Sequence, residues 1–328
     1  MRFSSLFVPA VGSLVILVLS WSCQGADDLQ LCGDTVLHFA TVDEAKKILT
    51  ARDSFAHSLS KFDLQVRLQR VENATLAELD KLNEEAAIPW QNAGIERVRP
   101  AVEKLQARLR KYRLPLPKKI LLIHTTGREE GEAAYTRANA IILPTKVLKY
   151  QLEQMESLLA HELFHVLSRQ NPELRSALYG VIGFRLCDEI QLPESFKDRK
   201  LTNPDAPLID CFIELPVEGK KVLAAPILYS NSKAYDPKKG GTLFSYLTFR
   251  LMVVERKGDK LVPVLNGENP VVFEPAQVPQ FFGQVGSNTT YIIHPDEILA
   301  DNFMHLVKES KDLQTPRLID RIGSLLSN

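Results

Sequence analysis

The residues of this chain with the clearest chemical pattern are His161-Glu162-Leu163-Phe164-His165. Four residues advance an α-helix by about 400°, so two histidines at this spacing project from one face, one turn apart. Two imidazoles so placed can share a single zinc ion. Glu162 lies beside that face, where its carboxylate can take a proton from a metal-held water and pass it to a leaving amine. The surrounding run from Ser157 to Leu167 carries no charge other than Glu162, and Leu158, Leu159, Val166 and Leu167 flank the motif. A helix apolar nearly all round is a buried one. Three ionisable side chains in a buried helix are costly unless they are paired or bound to metal.

The motif and its uncharged flanks resemble the active-site helix of the zincin metallopeptidases. Metzincins continue with a glycine and a third histidine, whereas Ser168-Arg169-Gln170-Asn171 follows here. The gluzincin, thermolysin-like branch instead takes a glutamate from a later helix in the pattern Glu-x-x-x-Asp. Glu297 and Asp301 match that pattern, within His294-Pro295-Asp296-Glu297-Ile298-Leu299-Ala300-Asp301. The resemblance implies Glu297 as third zinc ligand and Asp301 as the residue orienting the first histidine. The spacer of about 130 residues is longer than the few tens usual in that branch. Glu189, sooner after His165, is therefore a rival ligand.

The resemblance also implies that a peptide substrate pairs with an edge strand upstream of the helix, which places Asn139 and Ala140 in contact with substrate. A donor for the developing oxyanion is expected on the C-terminal side, from His294, Tyr291, Tyr246 or Tyr229. His57, His124 and His305 are expected to be ordinary surface or core residues.

The elements that must position these groups form an α+β fold. Residues 27–117 read as a helical N-terminal subdomain. Thr41-Val42-Asp43-Glu44 is a capping box opening a helix to about Ser58, Thr75 repeats the signal, and Ile95, Val98, Val102, Leu105 and Leu109 mark a third helix. Residues 118–328 read as the catalytic domain. Ile120–Ile123 is an apolar strand, and Ala133–Thr136 and Ala140–Leu143 are two more, joined by a tight turn at Arg137-Ala138-Asn139. The latter is the expected edge strand of a small mixed sheet. Pro144 suits the first turn of the long motif helix. A β-rich insertion at about 184–291 precedes C-terminal helices starting at Pro295 and Pro316.

The first 26 residues read as a secretory signal: Arg2, an apolar stretch from Leu6 to Leu19, then small residues before Asp27 and Asp28. Export to the envelope, periplasm or exterior follows from that reading. Lipidation at Cys23 fits poorly, and no later segment reaches the ~20 apolar residues of a membrane span. In an exported chain Cys187 and Cys211 are the expected disulfide pair. Cys32, left over, is weighed as a thiolate folding over the cleft to block the metal. Lys plus Arg and Asp plus Glu number 40 each, which gives no electrostatic reason to expect nucleic acid. The expectation is thus an exported metallopeptidase with one zinc and a peptide or protein substrate. The alternative is a non-catalytic zinc- or peptide-binding scaffold of the same fold.

Overall fold

The computed structural model describes residues 28–327, and the chain is mixed α+β. The expected signal segment and Cys23 lie outside the described residues. Two strands, β1 (Leu29–Cys32) and β2 (Thr35–Phe39), form a hairpin turning at Gly33 with φ of +51°. Their alternation buries Leu29, Leu31, Leu37 and Phe39 on one face. Helices α1 (Val42–Leu49), α2 (Ser54–Ser58), α3 (Lys61–Leu68), α4 (Leu76–Ala86) and α5 (Asn92–Leu109) follow. The reciprocal Thr41–Glu44 capping box opens α1, but the expected single helix to Ser58 is broken where Asp53 caps α2.

Strands β3 (Lys119–Thr125), β4 (Tyr135–Arg137) and β5 (Ala140–Pro144) complete a mixed sheet of order β1-β2-β3-β5-β4. β2 runs parallel to β3 and β3 to β5, while β4 is antiparallel to β5. Three expectations change here. The N-terminal part is not wholly helical, since its hairpin extends the sheet past residue 117. The edge strand is β4 rather than the strand at Ala140–Leu143, because β5 is enclosed between β3 and β4. Pro144 likewise ends β5 instead of opening a helix; a short 3₁₀ turn at Val147–Lys149 intervenes.

The long helix α6 (Leu152–Gln170) carries the histidine motif. Leu159, Ala160, Leu163, Phe164, Val166 and Leu167 on it are all buried. After α7 (Pro172–Val181), a second, antiparallel sheet contains β6 (Phe184–Leu186), β7 (Cys211–Val217), β8 (Lys220–Ser230), β9 (Leu247–Lys257) and β10 (Lys260–Pro263), neighbours in that order. A single-turn helix α8 (Glu194–Lys197) lies between β6 and β7, and α9 (Pro279–Val285) leads to α10 (Pro295–Lys308) and α11 (Pro316–Leu326). One apolar core joins residues of the first sheet, α5, α6, α10 and β7. Within it the Phe164 and Phe303 rings lie 5.7 Å apart, fixing α10 against the motif helix.

Cys187 and Cys211 form no disulfide. Leu186 pairs with Cys211 across β6 and β7, so Cys187 stands opposite Asp210. Successive side chains point to opposite faces of a sheet. Cys211 therefore packs in the main core and Cys187 against the separate cluster on the far face. No helix among the described residues is long and apolar enough to cross a membrane.

Candidate metal centre

His161 and His165 leave α6 one turn apart, with ring centroids 4.8 Å apart, and α10 brings Glu297 to both. Glu297 Oε2 lies 3.0 Å from His161 Nε2 and 3.5 Å from His165 Nε2. Ligand atoms held tetrahedrally at zinc bond lengths of ~2.0–2.2 Å stand roughly 3.3–3.6 Å from one another. The spacing is close to what such an ion requires. His165 is fully buried, and its Nε2 has no hydrogen-bond partner. A buried orphaned nitrogen beside a carboxylate is an unsatisfied cost that a cation removes.

The far side of each ring is also held. His161 Nδ1 lies 2.8 Å from Asp301 Oδ1, and Asp301 accepts a further hydrogen bond from Thr289. His165 Nδ1 lies 2.8 Å from Asp296 Oδ2, whose other oxygen accepts from Ser168 Oγ at 2.6 Å and Tyr179 OH at 3.1 Å. A carboxylate on each Nδ1 holds a proton there, so Nε2, facing Glu297, is the nitrogen left to a metal once any second proton has gone. Burial opposes charge on His161, yet hydrogen bonds with Asp301 and Glu297 outweigh it and lift the ring to about 10. His165 is raised as well: burial works against its charge, but Asp205 and Glu297 prevail. The pocket thus favours positive charge, which protons or a metal can provide. Two imidazoles and one carboxylate suit zinc.

Glu162 is buried beside this set. Thr136 Oγ1 donates to its Oε2 at 2.8 Å, which ties the carboxylate to the edge strand β4. Burial raises the Glu162 pKa and the two histidines pull it down. Asp205, from the loop before β7, joins Glu162 and His165 in a group whose ligand atoms lie within 4.8 Å of one another. A cleft of about 590 Å³ opens onto His161, Glu162, Asp205, Tyr291, Glu297 and Asp301.

Of the residues singled out in the sequence, His161, Glu162, His165, Glu297, Asp301 and Tyr291 come together. The others do not. Glu189 is exposed on the loop after β6 and reaches no ligand group. Asn139 spends its amide on the Lys119 carbonyl, and Ala140 is buried within β5. His294 is buried as the cap of α10, its Nδ1 accepting from the Asp296 N–H. Tyr246 donates to the Gly240 carbonyl, and Tyr229 packs in the cluster on the far face of the second sheet. Cys32 ends β1, at the opposite edge of the first sheet from β4, so it does not cover the cleft.

Asp210, Cys211 and His294 also lie within metal-binding reach of one another. Arg175 engages both oxygens of Asp210, however, and the capping bond to His294 Nδ1 puts the ring proton on Nε2, facing Cys211. That group is already satisfied. Sequence reasoning missed Asp296, Thr136, Asn203 and Asp205. Only Asp296 left a trace, as the acidic neighbour of Glu297. No protein-family model, curated protein or solved structure matches this chain.

Proposed function

We propose that this chain is a zinc-dependent peptidase, exported from the cell under the direction of its N-terminal segment. The observation that carries the reading is the meeting of three ligand atoms, one of them the orphaned His165 Nε2, beside a tethered carboxylate. His161, His165 and Glu297 would hold the metal. When bound, zinc supplies Lewis acidity, lowering the pKa of a water toward ~7 and polarising a carbonyl oxygen.

The chain's own groups would do the rest. Thr136 fixes one oxygen of Glu162 and leaves the other to take a proton from water as its oxygen attacks the scissile carbon. Glu162 then returns that proton to the departing amine nitrogen. The carbon gains OH, the nitrogen gains H and the C–N bond breaks, so one water is consumed per bond. Asp301 and Asp296 hold both rings in the tautomer that turns Nε2 inward. Tyr291, on the cleft wall, is the oxyanion donor that fits; burial pushes its hydroxyl pKa up and keeps it protonated.

Zinc content measured on wild type, His161→Ala, Glu297→Ala and Glu189→Ala tests the ligand set, alongside peptide hydrolysis by the wild type. One zinc in wild type and Glu189→Ala, with loss in the other two, is expected. Full zinc in Glu297→Ala would overturn the assignment. The second reading, a non-catalytic zinc- or peptide-binding scaffold, draws support from the way β4 is already covered at Thr136. Zinc without hydrolysis of any peptide would favour it.

A further inference from the structure

The site has one closed end, and what closes it bears on the substrate. Thr136 is the central residue of the edge strand β4, where an extended peptide would add as a further strand. Both of its outward backbone groups are taken. Asp205 Oδ1 accepts its N–H at 2.6 Å, and Arg169 Nη2 donates to its carbonyl at 3.3 Å. Arg169 also bonds the carbonyls of Ala138, Pro204 and Asp205, which locks the segment in place. Asn203 ties it to the metal centre, donating through Nδ2 to Glu297 Oε1 at 2.5 Å.

This closure is anchored rather than loose. Thr202 donates its N–H to Asp63 Oδ1 at 3.0 Å and its hydroxyl to Asp63 Oδ2 at 2.7 Å, while its carbonyl accepts from Arg67 at 2.9 Å. Arg67 is itself buried between Asp63 and Glu130. Beside Asp205 a smaller pocket of about 40 Å³ shares Ala134, Asp205 and Tyr291 with the cleft and is bordered by Leu201, Leu228, Leu243, Phe244 and Leu247. That holds a small apolar group, not a continuing chain.

On the peptidase reading above, we infer that the cleft accepts a peptide end, and that Asp205 binds the α-ammonium of an N-terminal residue. The sign of the charge chooses the terminus. Asp205 places its carboxyl at the closed end, next to Glu162; burial raises its pKa, and a cation beside it would favour the charged form, whereas the neighbouring Arg169 is spent on backbone carbonyls. An ammonium there would meet Asp205 and Glu162, whereas a substrate carboxylate in the same place would face both of them. Asp205 groups with His165 and Glu162 and not with His161 and Glu297, so its position is that of an anchor beside the metal rather than a fourth ligand. The substrate class is therefore peptides with a free amino terminus and a small apolar first residue.

The test uses zinc-loaded Glu162→Gln protein, which should bind without turnover, titrated calorimetrically with trialanine and N-acetyl-trialanine. Losing a charged hydrogen bond predicts that the free amine binds about tenfold to a hundredfold more tightly. The preference should vanish in the Glu162→Gln/Asp205→Asn double variant, with zinc content and melting temperature unchanged. Equal binding of both peptides, binding of neither, or loss of zinc on Asp205→Asn would overturn the inference. Hydrolysis by wild type separates the two ideas. Cleavage of acetylated and free peptides at equal rates leaves the peptidase and removes the anchor. An amine preference without any cleavage leaves the anchor and removes the peptidase.

Discussion

Replacing Asp296 by asparagine should weaken zinc binding while leaving the fold intact. Its carboxylate accepts from His165 Nδ1, Ser168 Oγ and Tyr179 OH, and burial is outweighed by the His165 bond so that its pKa falls to about 2. Alanine would leave three buried donors unpaired at ~1–3 kcal/mol each, enough to unfold many domains. Asparagine keeps the shape and one acceptor for His165, and the serine and tyrosine hydroxyls can rotate to accept from its amide. What it removes is the negative charge that makes His165 a stronger donor to metal. Loss of a partner behind a ligating histidine costs ~10–100-fold in metal affinity, or about 1.4–2.7 kcal/mol. Competition against a zinc chelator reads the affinity, and thermal melting of the metal-free protein reads the fold. Wild-type zinc affinity in Asp296→Asn would refute the idea that this carboxylate supports His165 as a ligand. A large fall in melting temperature without zinc would show its role to be packing alone.

Glu162→Gln should retain one zinc and lose at least about two orders of magnitude in peptide hydrolysis, since the amide cannot accept the proton. Wild-type turnover in that variant would remove Glu162 as the base. Zinc uptake should release about two protons per ion near pH 7, because the metal-free pocket holds His161 and His165 protonated well above neutrality. Protons compete with metal, so affinity should rise as pH increases from 6 toward the His161 value of about 10 and weaken as pH falls. A weakly buffered indicator titration measures the release, and zinc binding with no proton change would contradict it.

The parts of the site legible in the sequence are the two pairs set by one helical turn each, His161 with His165 and Glu297 with Asp301. Helical periodicity alone places each pair on one face. Groups that arrive from other elements left no such mark: Thr136 from an edge strand, Asp205 from a loop, and Ser168 and Tyr179 converging on Asp296. The strand order was partly readable. Ile141, Ile142 and Leu143 form a continuous apolar run like that of Ile120–Ile123, and such runs belong inside a sheet. The shorter, mixed run at Tyr135–Arg137 is the one suited to an edge. The β1–β2 hairpin also had a signal, Gly33-Asp34 between alternating Leu29, Leu31, Leu37 and Phe39. The cysteine pairing failed because sequence spacing carries no information on which face of a sheet a thiol occupies.

The N-terminal helices, which carry no chemical motif, still bear on the site through one buried ionic group. Arg67 and Asp63 on α3 meet Glu130, all three almost wholly removed from solvent. Breaking such a group by deleting one partner costs ~3–5 kcal/mol, because the remaining charge is stranded. Here the cost would be transmitted, since Asp63 and Arg67 together take the N–H, hydroxyl and carbonyl of Thr202, one residue before Asn203 meets Glu297. The closed end of the cleft is thus built on α3, from a region that composition and motif reading set apart as a separate subdomain. One core spanning both halves of the chain makes the same point in apolar terms: Val98, Val102 and Leu105 of α5 pack with Leu159 and Phe164 of α6. The histidine helix is fixed from behind by residues before position 117 and confronted in front by a loop those same residues hold. Positioning of the candidate metal centre is therefore a property of the whole described chain, although the proposed ligands occupy only two helices.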